Sequence, residues 1–173
     1  MKKYILVFIL IFLLSGCSKL EYEMILHEGN DYIEIYTHDP DLLGCTMSTE
    51  DSYIDMDLDS ENVDVNTLGT YTVTYSTVVS GDKYFCNRVM YVVDSTGPTV
   101  ELNPGYDIIS IGTDWVDEGV TVSDNYDETS DLTVEVDDSK INVDVAGYYE
   151  VKYIVKDTSN NITIRTRIVQ IIE

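Results

Sequence analysis

The chain has 173 residues, of which 32 are acidic and ten are basic, so its formal net charge at pH 7 is −22. Nucleic acid and anionic lipid headgroups repel a chain this acidic, which excludes nucleic-acid binding as a function. Hydrophobic residues make up 44% of the sequence and there are fourteen tyrosines. This composition predicts a folded protein and argues against a disordered acidic one.

The first sixteen residues have the features of a secretory signal. Lys2 and Lys3 precede an apolar run over 4–14, which is shorter than the roughly 20 residues that a membrane-spanning helix needs. The letters LSGC at 14–17 resemble the lipobox of bacterial lipoproteins. That resemblance implies cleavage before Cys17, a diacylglycerol on its sulfur, and acylation of the new amino terminus. The alternative is an ordinary signal peptide in which Cys17 has no special role.

A lipid on Cys17 would decide where the protein works. Two or more acyl chains give a stable membrane anchor, whereas one chain binds only marginally. We therefore predict a lipoprotein signal peptide at 1–16 and a lipidated tether at 17–23, with the mature protein on the extracytoplasmic face of the bacterial cell membrane. Loss of two lysines with the signal leaves eight basic and 32 acidic residues, a mature charge of 8 − 32 = −24.

An internal repeat organises the rest of the chain. The letters LGTYTVTY at 68–75 return as AGYYEVKY at 146–153, an offset of 78 residues. RVMYVVD at 88–94 returns as RIVQIIE at 167–173, an offset of 79. Changes in loop length produce such small drifts in a duplicated domain. The repeat predicts two domains, at 24–94 and 95–173.

The second copy has the pattern of an all-β domain. Short β-branched runs are separated by Gly, Asn, Asp and Pro, two longer runs follow, and apolar and polar residues alternate in the first of these. The predicted strands are 100–102, 107–111, 119–123, 132–136, 140–143, 148–156 and 162–172. No helical pattern follows the signal, so we predict two tandem immunoglobulin-like antiparallel β-sandwiches. The acidic stretch DMDLDSE at 55–61 is interpreted as one strand with an acidic solvent face.

The repeated phrase also contains a candidate structural tyrosine. Tyr71 and Tyr149 each come two residues after a glycine, Gly69 and Gly147. In immunoglobulin-like sandwiches a tyrosine at such a corner bonds back to the backbone through its hydroxyl. We predict tyrosine corners at both residues, with the glycines permitting a sharp turn. The alternative is an ordinary aromatic residue in a cross-strand pair.

Two cysteines remain after Cys17. Cys45 and Cys86 both lie in the first copy, and disulfides persist outside the cytoplasmic membrane. A Cys45–Cys86 bridge and two free thiols remain alternatives, because a distance cannot be read from a sequence.

Three segments of the second copy resemble a known family. They are DSTGPTVEL at 94–102, WVDEGVTVSDN at 115–125 and VDVAGYYEVKYIVKDTSNN at 143–161. They are similar to the bacterial Ig-like domains named for a pesticidal crystal protein, which overlap the hyalin-repeat-like modules. The first copy departs from this pattern at 39–51. The resemblance implies a seven-stranded sandwich, usually repeated in tandem on surface proteins, without catalytic activity.

The sequence contains no recognisable catalytic motif, such as a nucleophile elbow, a zinc-binding histidine pair or a phosphate loop. We therefore predict a non-enzymatic surface lipoprotein that serves as a binding, adhesion or spacer module for an unknown protein or glycan. The alternatives are a carboxylate-based surface glycan hydrolase and a subunit of an envelope assembly. Trp115 is interpreted as a plug of the sandwich core, or alternatively as a ligand contact.

Acidic loops of the second copy predict one metal site. The start of the first strand and two of the loops meet at the same end of an Ig-like sandwich. That end, at the junction with the first domain, should gather five side chains: Asp94, Asp124, Asn125, Asp127 and Asp157. Oxygen ligands of this kind suit Ca²⁺, which would stiffen the junction. The alternative is that these residues only cap turns, and no other cofactor is predicted.

Overall fold

The computed structural model describes residues 22–49 and 51–173. The signal peptide and Cys17 lie outside these residues. The described chain is all-β, with thirteen strands, one short 3-10 helix and no α-helix. It divides into two compact units, with the boundary between Val93 and Asp94. None of its helices is long and apolar enough to cross a membrane.

Unit 1, which ends at Val93, consists of two sheets. One sheet has the strand order β1-β3-β4, and the other has the order β2-β7-β6-β5. All neighbours are antiparallel except β2 and β7, which are parallel. The strands are β1 (Glu23–Leu26), β2 (Tyr32–Glu34), β3 (Cys45–Ser48), β4 (Tyr53–Asp55), β5 (Asp57–Glu61), β6 (Gly69–Val79) and β7 (Asp82–Val93).

Unit 2, Asp94–Glu173, has the same plan. Strands β8 and β10 form a two-stranded antiparallel sheet, and the second sheet has the order β11-β12-β13-β9, with β9 parallel to β13. A 3-10 helix, Thr129–Asp131, precedes β11. The strands are β8 (Thr99–Leu102), β9 (Ile108–Ser110), β10 (Val120–Ser123), β11 (Thr133–Asp137), β12 (Gly147–Lys156) and β13 (Ile162–Ile172).

The parallel pairs have the same register in the two units. Tyr32 of β2 lies opposite Tyr91 of β7, and Ile108 of β9 lies opposite Gln170 of β13. Ile108 follows Tyr32 by 76 residues and Gln170 follows Tyr91 by 79 residues, which are close to the offsets of 78 and 79 between the two copies of the repeat. The duplicated sequence therefore builds the same strand pairing twice.

Alternating residues of the long hairpin β12–β13 form the core of unit 2. Val151, Tyr153 and Val169 are each 0% exposed and form a buried cluster. Burying an aliphatic side chain of this size stabilises a fold by about 1.5–3 kcal/mol. Trp115 is half-buried and packs against the cluster, as the core-plug interpretation expects.

Unit 2 has six strands instead of the seven that the family resemblance implied. The predicted strand at 140–143 is wrong, because this segment forms turns. The Ile141 amide donates to the Asp138 carbonyl at 3.0 Å, and the Val145 amide donates to the Asn142 carbonyl at 3.3 Å. Ile141 nevertheless packs against the core cluster, which explains why an apolar residue occupies this turn.

The single strand predicted at 55–61 is also wrong, since the chain changes sheets within it. Strand β4 pairs with β3 in one sheet, whereas β5 pairs with β6 in the other. Met56 lies at the crossing, is 7% exposed, and donates its amide to the Cys45 carbonyl at 3.0 Å. The alternation of acids and apolar residues therefore continues through a bend between two short strands.

Candidate functional site

Four carboxylates from three separate segments of unit 2 meet at one place. Asp94 precedes β8, Asp124 follows β10, Asp127 precedes the 3-10 helix, and Asp157 follows β12. One carboxylate oxygen from each of them lies within 4.8 Å of the others. The antiparallel pairing explains part of this convergence, because the end of β10 at Ser123 lies opposite the start of β8 at Thr99.

Asp94 and Asp124 each have one oxygen held by the backbone and one without a partner. Asp94 Oδ1 accepts from the Thr96 amide at 3.3 Å, and Asp124 Oδ1 accepts from the Tyr126 amide at 2.9 Å. The two Oδ2 atoms are buried and have no hydrogen-bond partner among the described residues. Asp94 as a whole is only 7% exposed. Buried polar atoms nearly always have partners, so two unpaired oxygens in one cluster need an explanation.

Asp127 and Asp157 are held by the hairpin loop between β12 and β13. Asp127 Oδ2 accepts from the Thr158 amide at 2.9 Å, and its Oδ1 accepts from the Thr158 hydroxyl at 2.7 Å. Asp157, which is 4% exposed, accepts from the Asn161 amide at 2.7 Å and from Asn161 Nδ2 at 2.8 Å. Both carboxylates are therefore fixed in orientation before anything binds between them.

The cluster is electrostatically uncompensated. No Lys, Arg or His side chain forms a salt bridge with any of the four carboxylates in the described structure. Burial raises the pKa of Asp94 above its ordinary value, and the nearby charges of Asp124 and Asp157 raise this pKa further. Hydrogen bonds from Ser159 and Thr96 act in the opposite direction. The cluster therefore favours either a bound proton or a bound cation.

The structure brings together four of the five residues predicted for a metal site. The fifth, Asn125, is exposed and lies between Asp124 and Tyr126 in the chain. All four carboxylates belong to unit 2. Two surface depressions, of about 240 Å³ beside β2 and about 410 Å³ beside β9, contain none of them. Asp94, whose carboxyl pKa is raised, therefore lines neither depression.

In unit 1 the structure places Cys45 and Cys86 in a disulfide. The sulfur atoms are 2.15 Å apart and the Cα atoms are 6.5 Å apart. Cys45 begins β3 and Cys86 lies in β7, so the bridge joins the two sheets. Both residues are buried. The bridge in the isolated protein stays a prediction that a mass measurement can check.

The hydroxyls of the two repeated tyrosines return to the preceding turn. Tyr71 Oη donates to the Thr67 carbonyl at 2.6 Å, and Tyr149 Oη donates to the Val145 carbonyl at 2.9 Å. The glycines have a different role from the expected one, because neither Gly69 nor Gly147 has a positive φ. Instead the tyrosine ring lies over the glycine, with its nearest atom 3.4 Å or 3.6 Å from where a Cβ would be.

Sequence reasoning missed a buried arginine in each unit. Arg167 is 2% exposed and donates to both Asp107 oxygens, at 2.9 and 3.0 Å, and to the carbonyls of Asn103 and Gly119, at 2.7 and 3.0 Å. Its Nε donates to Tyr153 Oη at 3.1 Å.

Unit 1 repeats this arrangement at the offsets of the sequence repeat. Arg88 is 5% exposed, forms a salt bridge with Asp31 at 2.6 Å, and donates to the His27 carbonyl at 2.7 Å. The sequence signal was present, because Arg and Asp recur together at offsets of 79 and 76 residues. Arginine in a predicted core strand needs such a partner.

Two models of known protein families match parts of the chain. Residues 104–171 match the family described as bacterial surface protein, Ig-like domain. Residues 1–18 match the prokaryotic membrane lipoprotein lipid attachment site. No curated protein matches the chain.

Residues 104–171 are therefore similar to a bacterial surface Ig-like domain, and residues 1–18 are similar to the lipid attachment site of membrane lipoproteins. Domains of this surface family are generally non-enzymatic. The lipid attachment site supports anchoring to the membrane through a lipid.

Proposed function

We propose that the protein is a non-enzymatic module of two tandem Ig-like domains. A lipid on Cys17 tethers it to the extracytoplasmic face of the bacterial cell membrane, and it presents a binding surface to a protein or glycan. The observation that carries the proposal is the presence, in one chain, of a lipid attachment site at 1–18 and a surface Ig-like domain at 104–171.

The tandem arrangement rests on what unit 1 shares with unit 2. Both units have a four-stranded sheet in which the long last strand pairs in parallel with a short early strand. Both have a tyrosine bonded four residues back, and both have a buried arginine paired with an aspartate. These three features support an Ig-like interpretation of unit 1, although the family match covers only unit 2.

An exposed apolar surface favours binding over a spacer role alone. Ile162, Ile164 and Ile168 lie on the outward face of β13 and are 57%, 59% and 49% exposed. Tyr148 of β12, on the same face of the sheet, is 72% exposed. Exposed apolar patches on folded domains often mark interaction sites. Lys156 and Glu150 lie opposite Ile162 and Ile168 and supply polar neighbours for a partner.

The anchor is tested with a Cys17→Ser variant produced in a bacterium that lipidates proteins. We expect the wild-type chain in the membrane fraction after a high-salt wash, and the variant unprocessed and without incorporated radiolabelled lipid. The double variant Cys45→Ser/Cys86→Ser is the matched control and should still be lipidated. Equal lipid incorporation in wild type and Cys17→Ser would contradict the proposal.

The binding role is tested by placing a photo-crosslinking amino acid at residue 164 on whole cells. The control carries it at residue 138, an exposed position in the turn after β11. A discrete adduct from residue 164 and none from residue 138 is expected. A lack of adducts at both positions would leave a spacer as the function and remove the binding role.

A further inference from the structure

We propose that Asp94, Asp124, Asp127 and Asp157 bind one calcium ion within unit 2. The inference goes beyond the proposed surface role, because it concerns what stabilises the loops of this unit. It depends on the convergence of the four carboxylates within 4.8 Å and on the unpaired oxygens at the centre of the cluster.

The buried Oδ2 atoms carry the argument. An ionised carboxylate oxygen out of contact with water is costly unless a donor or a cation neutralises it. Turn capping accounts for the Oδ1 atoms of Asp94 and Asp124, which accept backbone amides. Turn capping does not account for the two Oδ2 atoms, which are buried and have no hydrogen-bond partner among the described residues. No basic side chain of the described structure forms a salt bridge with either carboxylate. A bound metal ion satisfies both atoms at once.

The ligand chemistry selects calcium among the common metal ions. All four ligands are carboxylate oxygens, which hard cations prefer, whereas zinc and copper sites use histidine and cysteine. Oxygens on opposite sides of a calcium ion lie about 4.6–5.2 Å apart, because each Ca–O distance is about 2.3–2.6 Å. Magnesium requires about 4.0–4.2 Å and a near-ideal octahedron. Calcium takes its oxygen ligands in a flexible geometry, which suits four carboxylates that separate loops hold within 4.8 Å of one another.

Binding would join three separate segments of unit 2. Asp94 leads into β8, Asp124 and Asp127 belong to the loop after β10, and Asp157 begins the hairpin loop before β13. Hydrogen bonds already connect these segments in pairs, since Asp127 accepts from Thr158 and Asn161 Nδ2 donates to the Asp94 carbonyl. An ion at the centre would hold all three together.

The test uses the full-length lipoprotein in detergent, first stripped with EDTA. Calorimetric titration with CaCl₂ is expected to show one ion per chain, and titration with MgCl₂ is expected to show weaker binding. At a free calcium concentration 100 times Kd, the ratio of folded to unfolded unit 2 should rise about 100-fold, with a corresponding increase in Tm. No binding heat and equal Tm values in EDTA and in millimolar calcium would overturn the proposal.

Asp94→Asn separates a cation ligand from a turn cap. Asparagine keeps an oxygen that can accept the Thr96 amide but removes one charge from the cluster. We expect the variant to be at least as stable as wild type in EDTA, because repulsion is relieved, and to bind calcium at least tenfold more weakly. Asp138→Asn removes the same charge at an exposed position and should respond to calcium as wild type does. An Asp94→Asn variant that is equally destabilised with and without calcium would show a structural cap and refute the site.

Discussion

One arginine is buried in the interior of each unit, Arg88 in unit 1 and Arg167 in unit 2. All three guanidinium nitrogens of Arg167 donate hydrogen bonds, to Tyr153 Oη, to Asp107 and to the backbone carbonyls of Asn103 and Gly119. A buried ion pair contributes little net stability compared with an apolar replacement of both partners, but removing one partner leaves the other uncompensated. The arginine therefore stabilises this particular arrangement of loops around β13.

Replacing Arg167 with leucine should destabilise unit 2. The change leaves the half-buried Asp107 without its cation and removes the Arg167 donor from the Asn103 carbonyl, while the Gly119 carbonyl keeps the Asn103 amide as a donor. We expect a loss of about 2–4 kcal/mol in the free energy of unfolding. Urea unfolding followed by circular dichroism measures it. Arg165→Leu, on the same strand but exposed, is the matched control and should change stability by less than about 0.5 kcal/mol. Equal losses in the two variants would contradict this role.

The raised pKa of Asp94 predicts a pH effect in the absence of divalent ions. The folded state holds this proton more tightly than the unfolded state, whose pKa is near the ordinary 3.8. The contribution of Asp94 to stability is therefore fully present below pH 3.8 and is lost as the pH rises through the folded pKa. The free energy of unfolding of wild type and of Asp94→Asn is measured in EDTA from below pH 3.8 to above the folded pKa of Asp94. The difference between the two proteins should depend on pH. Parallel pH profiles would exclude a contribution from Asp94.

At the scale of strands, local pattern predicted the long elements and failed on the short ones. The alternation in 148–156 sufficed to find β12, because half of its side chains, such as Val151 and Val155, face the core. The segment at 140–143 has the same β-branched composition but packs Ile141 from a turn. The crossing at Met56 and the parallel pairing of β9 depend on contacts between residues distant in the sequence, which local periodicity does not contain.

The tyrosine corner is a hydrogen bond from a tyrosine hydroxyl near the start of a long strand to a backbone carbonyl in the turn before it. Tyr149→Phe removes only the hydroxyl that donates to the Val145 carbonyl, so we expect a loss of about 0.5–1.5 kcal/mol in the free energy of unfolding of unit 2. Tyr148→Phe makes the same chemical change at a neighbouring residue that is 72% exposed, and should be neutral. If thermal unfolding shows the two variants to be indistinguishable, the corner bond does not contribute.

The disulfide joins β3 and β7 across the core of unit 1. With a sequence separation of 41 between the cysteines, the chain-entropy argument gives a stabilisation of about 4 kcal/mol, through restriction of the unfolded chain. Cys45→Ala/Cys86→Ala should lower the unfolding midpoint of unit 1 accordingly. Intact mass after alkylation without reduction provides the independent check, and two alkylated thiols in addition to any at Cys17 would exclude the bridge.

At the scale of the whole molecule, charge opposes compactness. A mature charge of −24 repels itself, and few of the acids are neutralised by basic residues, which number only eight after the signal. The sequence alone gives this charge, and it predicted that five polar loop residues would gather at one end of unit 2, of which the structure brings together four. It could not predict that Asp94 and Asp157 would be almost completely buried, because burial depends on how the loops pack.

Salt should therefore stabilise the protein at neutral pH. Raising NaCl from about 0.02 M to about 0.5 M shortens the screening length to a few ångströms and weakens repulsion among the acids. We expect the free energy of unfolding in EDTA to rise by on the order of 1 kcal/mol. Urea unfolding at the two salt concentrations measures it. The effect should shrink at pH 4, where many carboxylates are protonated, and a salt effect of the same size at both pH values would contradict its electrostatic origin.

The central position of the last strand in each large sheet has a consequence for export. Strand β13 lies between β12 and β9, and β7 lies between β6 and β2. Neither four-stranded sheet can therefore form completely before the last strand of its unit is available. A chain that crosses the membrane from its amino terminus therefore cannot close unit 1 before Val93 emerges, or unit 2 before Ile172 emerges. Pairings this distant in sequence form slowly. For a chain exported in this direction, each unit would complete its four-stranded sheet only after its last strand had passed through the membrane.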